Sequence, residues 1–194
     1  MTDARPQGVF VEAVPEGDTL PRLVCADCGF IRYDNPKVVV GAVCVWQAKV
    51  LLCRRAIAPR IGFWTIPSGY LELNESTRDG AAREVREEAC ANVEMGDLIG
   101  IYEVPHLSQV MVMYRARMTG PEHAPGVESQ EVALFAWDDI PWDDLAFPSV
   151  RWGLERFHHD QVLAVVHKPL GDKNPPRPEE ARSAVSKDRQ PPIP

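Results

Sequence analysis

The stretch REVREEACA, residues 83–91, carries charge at five of its first six positions. At about 100° per helical residue, Glu84, Glu87 and Glu88 fall on one stripe. Ala82, Val85 and Ala89 make the adjoining apolar side, able to pack on a sheet, and Thr77, Gly80 and Ala81 place small residues further up the acidic side. Like charges at this spacing repel by about a few tenths of a kcal/mol per pair, and Arg83 and Arg86 offset only part of that. One reading is a solvated charged face. The other is a carboxylate cluster for a hard divalent cation, which takes oxygen ligands from a few carboxylates, water and substrate phosphate, with the small residues leaving room for that substrate. Ser76 with Asp79 three residues on resembles a capping box, so the helix is expected from about 76 to about 90. Its end carries Cys90-Ala91 where a glycine stop would be usual. Asn92, tolerant of the left-handed conformation, is expected to take the stop, and Cys90 to be a small packed thiol.

Outward from this helix the chain alternates strands with helices. KVVVGAVCVW (37–46), a break at Gln47-Ala48 and KVLLCRR (49–55) read as a tight hairpin in a central sheet. GFWTIPSGYLELNES (62–76) is a strand-and-loop region punctuated by Gly62, Pro67 and Gly69. DLIGIYEV (97–104) and QVMVMYRARM (109–118) are strands, GPEHAPG (120–126) a loop, and EVALFAWDDI (131–140) begins as a strand. SVRWGLERFHHD (149–160) spaces Val150, Leu154 and Phe157 as a closing amphipathic helix. Residues 1–24 read as irregular, and the proline-rich end as a flexible tail. The expected organisation is an N-terminal segment at 1–36, a main domain at 37–165 and the tail at 166–194. Its class is α/β, an α/β/α sandwich with a mixed sheet.

The net charge of −7 and pI of about 5.3 disfavour broad nucleic-acid binding by counterion release, so no nucleic-acid partner is expected. A small phosphorylated ligand stays compatible, because a bound cation reverses the local sign. The longest apolar run, Val38 to Trp46, is too short for a bilayer, and MTDARPQG lacks the order of a signal peptide. A cytoplasmic protein is expected, with its five cysteines reduced.

The residues before the acidic stretch extend the pattern. Gly69, five residues, Glu75, seven residues, then Arg83-Glu84-Val85-Arg86-Glu87-Glu88 resembles the Nudix box. Cys90 replaces the box glycine and Ala91 a larger aliphatic residue. The resemblance implies a Nudix hydrolase whose loop–helix–loop grips metal-bound diphosphate. It implies Glu84 and Glu88 as principal Mg2+ or Mn2+ ligands joined by Glu87, with Gly69 offering its carbonyl and Arg83 pairing with Glu75 or Glu87. Within the family the general base is a box glutamate or a later acid; Glu128 and Glu131 are the candidates here. Arg54, Arg55 and Arg60 are candidates for phosphate contact, and Trp64, Tyr102 and Tyr114 for ring stacking or for core. His106 is a loop hydrogen-bonder or a substrate contact.

The likeness reaches beyond the box. VPEGDTLPRLVCADCGFIRYDNPKVVVGAV (14–43), LLCRR, GFWTIPSG, PHLSQV and LAFPSV resemble a Nudix subgroup with a short N-terminal zinc ribbon that includes FAD-hydrolysing enzymes. A ribbon needs four ligands; only Cys25 and Cys28 are present and residues 1–24 hold no Cys or His, so a metal-free relic turn is expected rather than bound zinc. Ser108-Gln109 running into VMVM departs from the NADH-pyrophosphatase signature. The implied activity is hydrolysis of a nucleoside diphosphate linked to another moiety, of the FAD, ADP-ribose or NAD(H) class, by a homodimer. The alternatives are a house-cleaning nucleoside triphosphate pyrophosphohydrolase and a non-catalytic nucleotide sensor.

Overall fold

The computed structural model describes residues 8–166. The tail expected at 166–194 lies outside them except for Val166, as do the first seven residues of the N-terminal segment.

A small antiparallel sheet comes first, in the order β1 (Phe10–Ala13), β2 (Arg22–Cys25), β3 (Ile31–Arg32). Residues 1–24 are therefore not all irregular. Pro15 and Pro21 fall in the connection between β1 and β2, where they interrupt no ladder, and the strands are too short to show periodicity.

The main sheet is mixed. β4 (Lys37–Trp46), β5 (Lys49–Arg55), β8 (Val93–Val104), β9 (Gln109–Met118) and β10 (Ser129–Phe135) run in the order β10-β5-β4-β9-β8, with β4 and β9 parallel. Two short strands join it: β6 (Trp64–Thr65) on β5 and β7 (Ser68–Tyr70) on β4. The β4–β5 turn is the two-residue kind, with Gln47 and Ala48 at φ 46° and 64°, the positive values that match strand twist. Only Val45–Val50 and Trp46–Lys49 pair in this hairpin. β4 then parts from β5 and takes β7 as its neighbour, Val39 opposite Tyr70, Val40 opposite Gly69 and Gly41 opposite Ser68. Gly41 permits this, since a Cβ there would lie 2.6 Å from the Ser68 Cβ.

Alternation along β4 and β5 divides the core between two helices. Ala42, Cys44, Leu51 and Cys53 face Val85 and Ala89 of α1 (Thr77–Ala89). Val43, Val50 and Leu52 face Val150, Leu154 and Phe157 of α2 (Pro148–Val166). Each valine, leucine and phenylalanine among them contributes about 1.5–3 kcal/mol on burial, enough to fix which way each strand faces. β8 starts four residues earlier than its sequence suggests, because irregularities between Met95 and Leu98 and between Leu98 and Gly100 break the alternation. β10 stops at Phe135, and Trp137–Asp139 wind into a 3-10 turn instead of extending the strand.

Candidate active site

The box-like segment folds as β7, a loop and α1. Ser76 caps α1, its hydroxyl accepting from the Asp79 N–H at 3.1 Å and donating to the Asp79 carboxylate at 2.6 Å. At the other end Cys90 adopts φ 49° and ψ 29°, and its N–H donates to the Arg86 carbonyl at 3.1 Å. The stop is thus at Cys90, not Asn92, and Cys90 is exposed, not packed; the left-handed turn swings its side chain outward while Ala91 enters the core. The last carbonyls of α1 are met by the loop before β10: Ala124 N–H donates to Ala89 and Gly126 N–H to Glu88, at 2.9 and 3.0 Å. A Cβ on Gly126 would come within 1.7 Å of the Glu87 carbonyl oxygen. Cys90→Gly relieves a left-handed β-carbon of about 1 kcal/mol. It is expected to raise the melting temperature by about 2–4 °C and leave turnover unchanged, as read by thermal melts and steady-state rates.

Arg83 organises the acids. Its Nε and Nη2 donate to both oxygens of Glu75 at 3.1 and 2.7 Å. Nη1 donates to Glu84 at 2.7 Å and Glu87 at 3.0 Å, and Nη2 reaches the Tyr70 carbonyl at 3.0 Å. The choice between Glu75 and Glu87 posed by the sequence is resolved as both, with Glu84 added. Bonding to Arg83, then to the Glu72 N–H, holds the Glu75 carboxyl down to about 2. Gly80 makes room for this bridge: a Cβ there would stand 2.7 Å from Glu75 Oε1 and 2.9 Å from Leu71 Cδ1. Ala81 is buried in the core. The small residues of α1 therefore accommodate Glu75 and the sheet, not a substrate.

β7 receives the two inner carboxylates. A Cβ on Gly69 would meet the Glu84 carboxylate at 2.5 Å, so glycine lets Glu84 lie against the strand backbone. The Ser68 N–H donates to Glu88 Oε2 at 3.0 Å. Glu84 and Glu88 are only 7% and 5% exposed. Burial raises the Glu84 carboxyl, with Arg83 opposing and the charges of Glu87 and Glu128 adding. Glu88 is raised to about 8, first by burial and further by Glu84 and Glu128, against the Ser68 N–H and Arg55.

Two carboxylates raised by burial, Glu88 further by the charge of Glu84, fit a divalent cation, which would stabilise both charges at once. Among the described residues no three His, Cys, Asp or Glu side chains are grouped to hold an ion by themselves. The pair would thus hold a cation with its remaining positions left to water and phosphate oxygens, the habit of Mg2+ and Mn2+. Glu87 is exposed and tied to Arg83.

The other sequence candidates separate. Arg55 bonds the Pro59 carbonyl and lies over the Phe147 ring, and its charge reaches Glu88. Arg54 turns to the Gly62 carbonyl and to Glu131 at 3.6 Å. Of the later acids, Glu128 reaches the fields of Glu84 and Glu88, whereas Glu131 is engaged with Arg54. Arg60 covers Phe63. Trp64 packs edge-on against Phe135 and the Tyr114 hydroxyl bonds Thr77; Tyr102 lies beside Trp152, and His106 is exposed in a 3-10 turn. The aromatic residue that sequence reasoning missed is Tyr70. Next to Gly69 on β7, it projects to the opposite face, 52% exposed, with Lys37 Nζ 5.0 Å from its ring centre and Gln109 donating to its hydroxyl at 3.1 Å. The signal was its place beside the box glycine, where strand alternation sends neighbours to opposite faces.

Residues 35–161 match the NUDIX domain family and residues 10–34 the Nudix N-terminal zinc-ribbon family. The crystal structure of a NUDIX hydrolase from Nitrosomonas europaea is 47% identical, with a TM-score of 0.76 over 80% of this chain and 91% of that one. A MutT-like protein of Streptomyces ambofaciens is 33% identical over 53% of this chain, and an ADP-ribose pyrophosphatase of Methanocaldococcus jannaschii 25% identical over 56%. The chain spans 64% and 67% of the lengths of those two relatives. The spacing from Gly69 to Glu88, the helix that carries it and the family match over 35–161 lead to one conclusion: the chain belongs to the Nudix hydrolase family.

Proposed function

We propose that the chain is a Mg2+- or Mn2+-dependent pyrophosphatase. It cleaves the diphosphate bond of a nucleoside diphosphate joined to a second moiety, in the FAD, ADP-ribose or NAD(H) class. The observation that carries this reading is the buried Glu84–Glu88 pair laid against the β7 backbone and braced by Arg83. The likeness to the protein of Methanocaldococcus jannaschii named ADP-ribose pyrophosphatase supports the substrate class.

Bound at Glu84 and Glu88, the cation would neutralise the diphosphate and sharpen the electrophilicity of phosphorus. The chain's own groups do the rest. Arg83 locks Glu84 in one rotamer by a charge-assisted bond, and the Ser68 N–H orients Glu88. Arg55 supplies positive charge on the Glu88 side of the site. Water adds to one phosphorus, the bridging P–O bond breaks, and the proton released by water passes to a carboxylate, for which Glu128 is the free later acid. Two monophosphates leave. Tyr70 offers a ring face for the nucleobase or isoalloxazine, with Lys37 beside it for phosphate or ribose.

The test is a hydrolysis screen with Mg2+ and Mn2+ over FAD, ADP-ribose, NADH, NAD and nucleoside triphosphates. Two monophosphate products from a dinucleotide-type substrate are expected. Turnover confined to triphosphates, or none with either metal, overturns the reading. Base stacking on an aromatic ring is worth about 1–3 kcal/mol. Tyr70→Ala is accordingly expected to raise KM by about tenfold or more with kcat held, measured on the best substrate of the screen.

A further inference from the structure

The N-terminal sheet carries a dithiol that the acidic site does not use. Cys25 ends β2 and Cys28 lies in the turn toward β3. The turn is closed by the Cys25 N–H donating to the Phe30 carbonyl at 2.8 Å and the Gly29 N–H donating to the Cys25 carbonyl at 2.9 Å, with Gly29 at φ 72°. This winding aims the N–H groups of Cys28 and Asp27 and the Cys28 thiol at the Cys25 sulfur, lowering the pKa of the Cys25 thiol. Gly8 covers the sulfur from the other side; a Cβ there would stand 2.6 Å from Cys25 Sγ. Cys25 is 2% exposed, whereas Cys28 is open to solvent.

Such a turn suits a zinc ion only if two further ligands complete the tetrahedron. Residues 1–24 contain neither Cys nor His. Cys44 and Cys53 are sealed between the main sheet and α1, where burial pushes Cys44 up to about 12 and Cys53 well up too. Among the described residues no third donor joins the pair. The zinc-ribbon family match at 10–34 and the ligand set thus disagree, and a closed zinc site within one chain does not fit. What remains is two thiols in contact, one exposed and one held by backbone donors that favour its thiolate.

We propose that Cys25 and Cys28 form a reversible disulfide, with low-molecular-weight disulfides of the glutathione class as the oxidant. The exposed Cys28 thiolate attacks one sulfur of the oxidant, forming a mixed disulfide and expelling one small thiolate. The Cys25 thiolate then attacks the Cys28 sulfur and expels the second small thiolate. The two protons lost by the protein go to these leaving groups, so two cysteines are oxidised and one small disulfide is reduced to two thiols. The Cys28 thiol is already within hydrogen-bonding reach of the Cys25 sulfur, and access selects Cys28 as the entry point.

The experiment uses the full chain, incubated with oxidised glutathione and mapped by peptide mass spectrometry, which keeps exposed Cys90 separate. Wild type is expected to show a Cys25–Cys28 crosslinked peptide with no glutathione left on Cys28, reversed by dithiothreitol. Cys25→Ser is expected to trap glutathione on Cys28. If that variant does not fold, the wild-type map decides alone. A stable glutathione adduct on wild-type Cys28, no crosslinked peptide at all, or one zinc per chain protecting both thiols overturns the proposal.

Discussion

Glu88→Gln is expected to melt higher than wild type in metal-free buffer at pH 8 and to hydrolyse substrate about a thousandfold more slowly. The two effects share one cause. Glu88 has an ordinary carboxyl pKa in the unfolded chain and is raised to about 8 in the fold by burial, with the Glu84 and Glu128 charges adding. A raised acid binds protons more tightly folded than unfolded, so stability falls as pH climbs from about 4.5 to about 8 and then levels off. Glutamine keeps an oxygen for the Ser68 N–H and never ionises, which removes that penalty. A gain of about 2 kcal/mol, or about 4–8 °C, follows at pH 8 and disappears near pH 4.5. Catalysis moves the other way, since the charge that destabilises the metal-free fold is the one that would hold the cation. Thermal melts in chelator across pH 4–9, beside rates in saturating Mg2+, check both halves. A variant that is less stable at pH 8, or that retains its rate, contradicts the assignment of Glu88.

Arg83→Ala is the second large effect, with stability and activity now falling together. The guanidinium bonds Glu75, Glu84, Glu87 and the Tyr70 carbonyl. Removing it leaves a buried carboxylate at Glu84 facing like charges, a loss of about 3 kcal/mol, the low end for buried pairs because the cluster is partly open to water. The melting temperature is expected to drop by about 6–12 °C. Lysine restores charge but not the planar fork, so Arg83→Lys recovers part of the stability and little of the rate. The pH dependence supplies a further signature. Glu75, held down to about 2 in the fold, contributes stability that is complete above its unfolded pKa and is lost as pH falls from about 4.5 toward 2. That acid loss is expected to flatten in Arg83→Ala, as read from melts between pH 3 and 7.

The acidic helix, the central hairpin and the helix-forming spacing of Val150, Leu154 and Phe157 were legible because each is written in local periodicity and spacing. The pairing of Arg83 with several acids was half legible, since the sequence offers partners without saying how many one guanidinium reaches. Cys90 misled because its packing depends on a left-handed stop, and what supports that stop is the distant loop of Ala124 and Gly126. The β1 and β2 strands were hidden because strands of four residues leave no room for a pattern to repeat. Tyr70 was overlooked for another reason: its neighbour Gly69 belongs to the motif, and only the pleat of β7 shows that the two residues address different faces of the sheet.

That pleat makes the β6–β7 connection a register device. Ser68 to Tyr70 is held to β4 by three consecutive pairings, and within that run odd and even positions have separate tasks: one lies beneath a carboxylate, the other presents a ring to solvent. Sliding β7 along β4 by one residue, as a shortened connection would, sets the Tyr70 phenol against Glu84 and turns Gly69 to the open face. A slide of two residues would restore the faces but bring Leu71 or Pro67 opposite Val40, where a Cβ meets the Glu84 carboxylate at 2.5 Å. Any length change just ahead of Ser68 that slides the strand therefore removes the glycine from beneath Glu84, whether the change is odd or even.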